Sequence, residues 1–214
     1  MPLVKVLLYQ IILNILDSSF EGCKVQEITF PDSLLKIGAS AFKNASKLKS
    51  VSFSDNSKLN EFKEETFMGC FLLESINIPN NVISIPKDFL NMTTSGKETS
   101  VLKSVTLGNG LQTIEENAFT SCIMLESISL PNSVISIANN AFINTSSLSN
   151  FTISTNSKLQ TIGECAFANS KINSIYLPNS LTKLSTKSFQ NCSDLKEVKF
   201  ASLALSDSEN KEIE

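Results

Sequence analysis

The chain has 214 residues, a formal net charge of −3, and neither histidine nor tryptophan. This length suits one domain, and the charge provides no basic surface of the kind that binds nucleic acid. Without histidine, the chain alone cannot build a Ser-His-Asp or Cys-His catalytic system or a histidine-ligated zinc site. No run of about 18 apolar residues is present, so we expect no membrane-spanning segment.

The first apolar segment, residues 3–16, has two interpretations: a targeting sequence or the first unit of a repeat. Apolar residues precede Phe20 by 17, 14, 12, 8 and 5 positions, and the same offsets recur later in the chain. We therefore interpret the segment as a first repeat, with a signal peptide as the alternative. The residues at these offsets are Leu3, Val6, Leu8, Ile12 and Ile15.

A phenylalanine returns eight times, at intervals of 22, 25, 22, 30, 23, 25 and 22 residues. A fixed period of this size is typical of stacked repeats, in which each unit covers the apolar face of its neighbour. We therefore predict that these side chains form a buried column along the stack. They are Phe20, Phe42, Phe67, Phe89, Phe119, Phe142, Phe167 and Phe189.

Each unit also contains an alternating apolar–polar–apolar step, as in residues 128–130 (Ile-Ser-Leu), which predicts a short strand. Proline follows several of these steps and is expected to end the strand, because it cannot donate a backbone hydrogen bond. The prolines in question are Pro31, Pro79, Pro131 and Pro178.

The repeats predict a single domain over residues 1–200, with about eight units of 22–30 residues. Residues 93–100 are an insertion, predicted to be an exposed, mobile loop. Residues 201–214 lack the period and are predicted to be a disordered acidic tail.

The sequence Leu-x-x-Ile-x-Ile-Pro, followed by Val-x-x-Ile-x-x-x-Ala-Phe-x-x-Cys, resembles the BspA-like leucine-rich repeats over residues 3–200. The resemblance implies a leucine-rich-repeat solenoid, a mostly β, right-handed horseshoe of the α/β type. Its parallel sheet would form the concave face, with short helical or irregular turns on the convex face. Many relatives are surface or secreted adhesins that bind host or matrix proteins. No catalytic residues come with the family.

Four cysteines share one repeat position, three residues after a phenylalanine, but they occur in non-adjacent units. At about 4.8 Å per unit, the nearest two are roughly 10 Å apart, whereas a disulfide needs Cα atoms within about 7 Å. We therefore expect a column of small buried side chains, without disulfides or a metal site. The four are Cys23, Cys70, Cys122 and Cys192.

Five Asn-x-Ser/Thr triplets are potential glycosylation sites if the chain enters a secretory pathway. Asn150 is the least favourable acceptor because it lies within a predicted strand. The others are Asn44, Asn91, Asn144 and Asn191.

The outward-facing strand positions form the predicted ligand surface, which is flat and rich in short hydroxyl side chains. Tyr176 is its one aromatic anchor, next to a charged end that contains Lys199. The alternative is a solvated sheet without a ligand. The candidate partner-binding residues on this face are Thr106, Ser129, Thr152, Tyr176 and Lys199.

Two apolar pairs occupy matching loops two units apart, where other units carry polar residues. They are candidate partner contacts, with packing beneath the loop as the alternative. The pairs are Phe71-Leu72 and Ile123-Met124.

Together these features predict a non-catalytic scaffold that binds a protein, with a glycan as a further ligand class and no cofactor. The family resemblance favours a host or matrix protein as partner and a cell-surface location. The unpaired cysteines and the lack of a clear signal peptide favour the alternative, an intracellular structural or interaction module, which could be a fragment of a longer array.

Overall fold

The computed structural model describes residues 5–7, 13–93 and 99–201. The predicted tail and the centre of the predicted insertion lie outside these residues, as do Leu3, Leu8 and Ile12 of the predicted first unit. The described part of the chain contains seventeen short strands and no helix, so turns form its convex side. The strands are β1 (Lys5–Leu7), β2 (Asn14–Ile15), β3 (Glu27–Thr29), β4 (Lys36–Ile37), β5 (Ser50–Ser52), β6 (Glu61–Phe62), β7 (Ser75–Asn77), β8 (Ser84–Ile85), β9 (Ser104–Thr106), β10 (Thr113–Ile114), β11 (Ser127–Leu130), β12 (Ser136–Ile137), β13 (Asn150–Ile153), β14 (Thr161–Ile162), β15 (Ser174–Leu177), β16 (Lys183–Leu184) and β17 (Glu197–Phe200).

The odd-numbered strands form the parallel sheet of the solenoid, which we call the concave sheet. The seven odd-numbered strands from β1 to β13 pair in sequence order as one sheet, and β15 pairs with β17 separately. In β1, Lys5 lies opposite Glu27 of β3, so residues 5–7 pair with the next unit as the repeat register predicts. The predicted inward–outward alternation is confirmed: in β11, Ile128 and Leu130 are buried whereas Ser127 and Ser129 are exposed.

The even-numbered strands form a second row of parallel pairs, the lateral sheet, which was not predicted from the sequence. Each strand has two residues, of which the second is a buried apolar side chain in seven of the eight units and the exposed Leu184 in β16. Two residues are too few to produce a detectable period of two, because the alternation needs about four residues. Apart from the junction between β6 and β8, the lateral sheet gives neighbouring units a second set of hydrogen bonds.

The lateral sheet is interrupted between β6 and β8, where the unit is one residue shorter and contains Pro86. At the other junctions the residue after the short strand donates its N–H to the preceding unit, as Lys63 does to Ile37 (2.9 Å) and Glu115 to Ile85 (2.9 Å). Proline has no N–H, so the equivalent bond cannot form at residue 86. Pro86 therefore removes one of the bonds that would join β8 to β6.

The eight phenylalanines form the predicted column in the core. Six of them are at most 1% exposed, and the two at the ends, Phe20 and Phe189, are partly buried. Neighbouring ring centroids lie between 5.1 Å (Phe20–Phe42) and 6.4 Å (Phe89–Phe119) apart. Most pairs are stacked in parallel and the pairs that involve Phe89 are edge-to-face, so each ring contacts the next one along the chain.

The turns around the phenylalanines require left-handed backbone. Asn117 (φ 57°) and Ser121 (φ 60°) flank Phe119, and Asn140 (φ 58°) and Asn144 (φ 61°) flank Phe142. Asparagine adopts this conformation more readily than most other residues, which accounts for its frequency in these turns. The same requirement accounts for the asparagine of the triplets at Asn44, Asn144 and Asn191.

Candidate functional site

The outward side chains of the concave sheet lie in register along the stack. Thr106, Ser129 and Thr152 are all exposed, and Ser129 lies directly opposite Thr152 in the β11–β13 pair. A second exposed row runs beside them through Ser104 and Ser127, which are also paired. The structure thus brings three of the predicted residues onto one open, uncharged surface.

The remaining two predicted residues of this face lie on the separate β15–β17 pair. Tyr176 is opposite Lys199, and the Lys199 ammonium forms an ion pair with Glu197 at 3.1 Å. Tyr176 is partly buried, whereas 63% of the Lys199 side chain is exposed. Although no ladder of hydrogen bonds joins β13 to β15, the two strands lie side by side, so this end continues the hydroxyl surface.

The loops before the strands carry the predicted apolar pairs. Phe71 packs against the core, and Leu72 and Ile123 are also partly buried, whereas 39% of Met124 is exposed. Between the two pairs lies a partly exposed residue that the sequence reasoning missed. Val101 occupies the same repeat position in the intervening unit, and its N–H donates to the Phe71 carbonyl at 3.0 Å.

The cysteine position is buried in the interior of the stack. Cys70 and Cys122 are fully buried, and their thiols donate to the carbonyls of Phe42 (3.1 Å) and Leu90 (3.4 Å). Burial raises the pKa of the Cys70 thiol to about 12 and also raises the pKa of Cys122. All five cysteines are free, and the prediction of a buried column is confirmed except at its ends, where Cys23 and Cys192 are partly exposed.

In three of the five glycosylation triplets the asparagine lies at a turn position with left-handed backbone. Asn44 (φ 55°), Asn144 (φ 61°) and Asn191 (φ 58°) all lie two residues after a phenylalanine, in the left-handed turn. The Asn169 amide donates to Asn144 Oδ1 (2.7 Å), and Asn191 donates to Asn169 Oδ1 (3.0 Å), so these side chains also bond along the stack. Asn150 lies at the start of β13, as predicted.

A cleft of about 830 Å³ lies at the interruption of the lateral sheet. On one wall Glu61 pairs with Lys36 (2.7 Å) and Lys63 (2.6 Å). On the other wall Glu115 accepts hydrogen bonds from Ser84 Oγ (2.6 Å) and from the backbone N–H of residue 87 (3.2 Å). Glu61 and Glu115 therefore already have partners within the cleft.

The ion pairs hold the pKa of Glu61 below its usual range, mainly through the hydrogen bonds from Lys36 and Lys63. The hydrogen bonds from Lys43 and Ser40 likewise lower the pKa of Glu65. A general acid at neutral pH needs the opposite shift. Within the described ranges, no three His, Cys, Asp or Glu side chains are grouped so that they could hold a metal ion, and no helix is long and apolar enough to cross a membrane.

The sequence matches the family model described as "BspA type Leucine rich repeat region" in six copies, over residues 3–106 and 97–208. Comparison with curated proteins gives no match. Among solved structures, a leucine-rich repeat protein from Bacteroides ovatus ATCC 8483 is 22% identical with a TM-score of 0.58, over 89% of this chain and 64% of that one. The T. pallidum leucine rich repeat protein is 25% identical with a TM-score of 0.64, over 74% of this chain and 70% of that one. The likeness to the B. ovatus protein concerns the fold, and this chain spans 64% of that protein's length.

Proposed function

Because the chain belongs to the BspA-type leucine-rich repeat family, we propose that it is a non-catalytic scaffold that binds a protein partner through its concave sheet. The observation that carries the proposal is the open row of Thr106, Ser129 and Thr152, which are exposed on a sheet whose opposite face is fully packed. Short hydroxyl side chains lose little conformational entropy on binding and both donate and accept hydrogen bonds. Such a surface suits recognition of a polar partner.

Tyr176 and Lys199 provide an aromatic ring and a positive charge, which the hydroxyl row lacks. Interfaces concentrate their binding energy in a few residues, among which tyrosine is enriched. Tyr176 is the one aromatic side chain among the outward strand positions that the structure describes, and its neighbour Lys199 carries a charge. We expect this end of the concave sheet to contribute the main anchor, with the hydroxyl row providing complementarity.

The experiment places a photo-cross-linking residue at Ser129 on the concave sheet or, as a control, at the exposed Lys187 on the convex side. A partner captured from Ser129 and not from Lys187 is then tested for affinity against the double variant Tyr176→Ala with Lys199→Ala. We expect a loss of at least about tenfold in affinity, as for a hot-spot truncation. The matched control is Lys158→Ala, an exposed lysine away from the sheet, which should leave affinity unchanged.

Thermal unfolding measured by circular dichroism checks that the double variant keeps the stability of the parent. Equal affinity of the parent and a folded double variant would refute the concave-sheet anchor.

A role in adhesion at the cell surface is part of the same proposal, and its support is the family resemblance. Labelling of intact cells with a membrane-impermeant amine reagent tests it through the exposed lysines, of which Lys58, Lys103 and Lys158 are examples. Modification of the chain on intact cells supports the surface role. Modification only after lysis would favour an intracellular interaction module instead.

A further inference from the structure

A strip of apolar side chains runs along one rim of the concave sheet over three consecutive units. Leu72, Val101 and Met124 occupy the same repeat position, one residue before a fully buried leucine. All three are at least partly exposed, and the backbone bond from Val101 to Phe71 joins the first two units. Other units carry Lys47, Ser147, Lys171 and Asp194 at this position, so the apolar character is confined to the three units.

A row of alternating charges lies beside this rim strip. Glu74, Lys103 and Glu126 each follow a rim-strip residue by two positions, and all three are exposed. The Lys103 N–H donates to the Glu74 carbonyl (2.9 Å) and the Glu126 N–H to the Lys103 carbonyl (3.4 Å), so the three residues are neighbours along the stack. In the part of the chain that the structure describes, none of these three side chains forms an ion pair, which leaves the charges available to a partner.

The spacing of the rim strip distinguishes between partner secondary structures. Three units in a parallel stack cover two spacings of about 4.8 Å, or roughly 9.6 Å. Helix positions i, i+3 and i+7 cover about 10.5 Å at 1.5 Å per residue, and helices dock through such positions. Same-face strand positions i, i+2 and i+4 cover about 13 Å at 3.3 Å per residue. The side-chain spacing of a helix lying along the stack therefore matches the spacing of all three rim residues. The side chains of a strand are too far apart to contact all three.

We propose that this rim is the docking site for an amphipathic α-helix of the partner protein, lying along the stack of units. Its apolar stripe rests on Leu72, Val101 and Met124, and the flank facing the charge row carries basic, acidic and basic side chains in that order. This inference rests on the proposed protein-binding function and names the partner's binding element. Charge complementarity sets the register and direction of the helix more than its affinity.

The test is a selection from a displayed library of amphipathic helices in which the stripe and both flanks are randomised. It is run on the full chain and on the variant Glu74→Lys, Lys103→Glu, Glu126→Lys, whose changes are all at exposed positions. We expect the parent chain to enrich a basic–acidic–basic flank and the charge-reversed variant to enrich an acidic–basic–acidic flank. Helices selected on the parent should bind the reversed variant at least about tenfold more weakly, because like charges face each other.

Two further variants distinguish binding at the rim strip from nonspecific hydrophobic binding. Met124→Asp should abolish enrichment of the apolar stripe, whereas Ser147→Asp, at the same repeat position in a polar unit, should not. Equal enrichment on the parent and Met124→Asp chains overturns the proposal, as does a flank pattern that stays the same on the charge-reversed chain.

The same variants distinguish the rim site from the concave-sheet anchor. A partner whose affinity falls with Met124→Asp but not with the Tyr176/Lys199 double variant would support the rim and refute the concave anchor. The converse result would overturn the rim proposal alone.

Discussion

Truncation of one ring in the middle of the phenylalanine column gives the sharpest test of how the stack is held together. Phe119 is fully buried, with Phe89 and Phe142 rings at 6.4 and 5.2 Å. Replacing a buried phenylalanine by alanine destabilises a protein by about 3–5 kcal/mol, through lost transfer free energy and the cavity that remains. Two lost ring contacts place the Phe119→Ala variant in the upper part of that range, since each such pair contributes about 0.5–1.5 kcal/mol.

The matched control is Phe189→Ala, at the end of the same column. Phe189 is only partly buried and has one neighbouring ring, Phe167, at 5.2 Å. The transfer term is smaller there, and the site opens toward solvent instead of enclosing a cavity, so we expect a loss of about 1–2 kcal/mol. The difference between the two variants measures what full burial, an enclosed cavity and a second ring contact add in the interior of the array.

The assay is urea unfolding followed by circular dichroism, with the free energy of unfolding extrapolated to water. Because each unit contacts mainly its neighbours, a weak interior junction can uncouple the two halves of the array. We therefore expect Phe119→Ala to lower the dependence on urea concentration as well as the midpoint, whereas Phe189→Ala shifts the midpoint alone. Equal losses for the two variants, or a neutral Phe119→Ala, would refute the description of the phenylalanines as a continuous structural column.

Two other predictions concern charge and thiol chemistry. Since Glu65 has a lowered pKa in the folded state, its stabilising effect is complete above its unfolded pKa of about 4.3 and is lost as the pH falls through the folded value. Glu65→Gln should thus lower the free energy of unfolding by about 0.5–1 kcal/mol at pH 7 and leave it nearly unchanged near pH 2. Urea titrations at the two pH values measure this, with Glu64→Gln as the control. A loss independent of pH would contradict the ion-pair explanation. Because Cys70 and Cys122 are buried and have raised pKa values, an aromatic disulfide reagent should leave them unmodified in the native chain. Cys23 and Cys192 should react, as mapped by mass spectrometry. Labelling of native Cys122 at the rate of Cys192 would show that the interior opens readily.

Most of the fold could be predicted because the same pattern of buried and exposed positions recurs in about eight units. The phenylalanine period and the apolar–polar–apolar steps specify which residues face inward, and the structure buries Ile128 and Phe119 accordingly. Registered units also predicted that residues near the amino terminus pair as a first repeat, which the opposition of Lys5 and Glu27 confirms. A single copy of the unit would have left all of these assignments ambiguous.

The features that could not be predicted are those that depend on one or two residues. The lateral sheet uses strands of two residues, such as Thr113–Ile114, which are too short for any periodic signal. Its interruption coincides with a one-residue deletion and with Pro86, which lacks the N–H that would bond to the preceding unit. The link from Val101 to Phe71 was hidden because the insertion separates these residues by thirty positions in the sequence.

The location of the rim strip also follows a physical distinction between kinds of repeat position. Buried positions such as Leu73, Leu102 and Leu125 are apolar in every unit because packing against neighbours demands it, so they carry no information about a partner. The preceding position is at least partly exposed in these three units, so packing makes a weaker demand there. A polar residue could occupy that position with little loss of packing. Three consecutive units nevertheless carry an apolar side chain there and so expose apolar surface. Their coincidence with an unpaired row of alternating charges is what points to a docking surface for a partner.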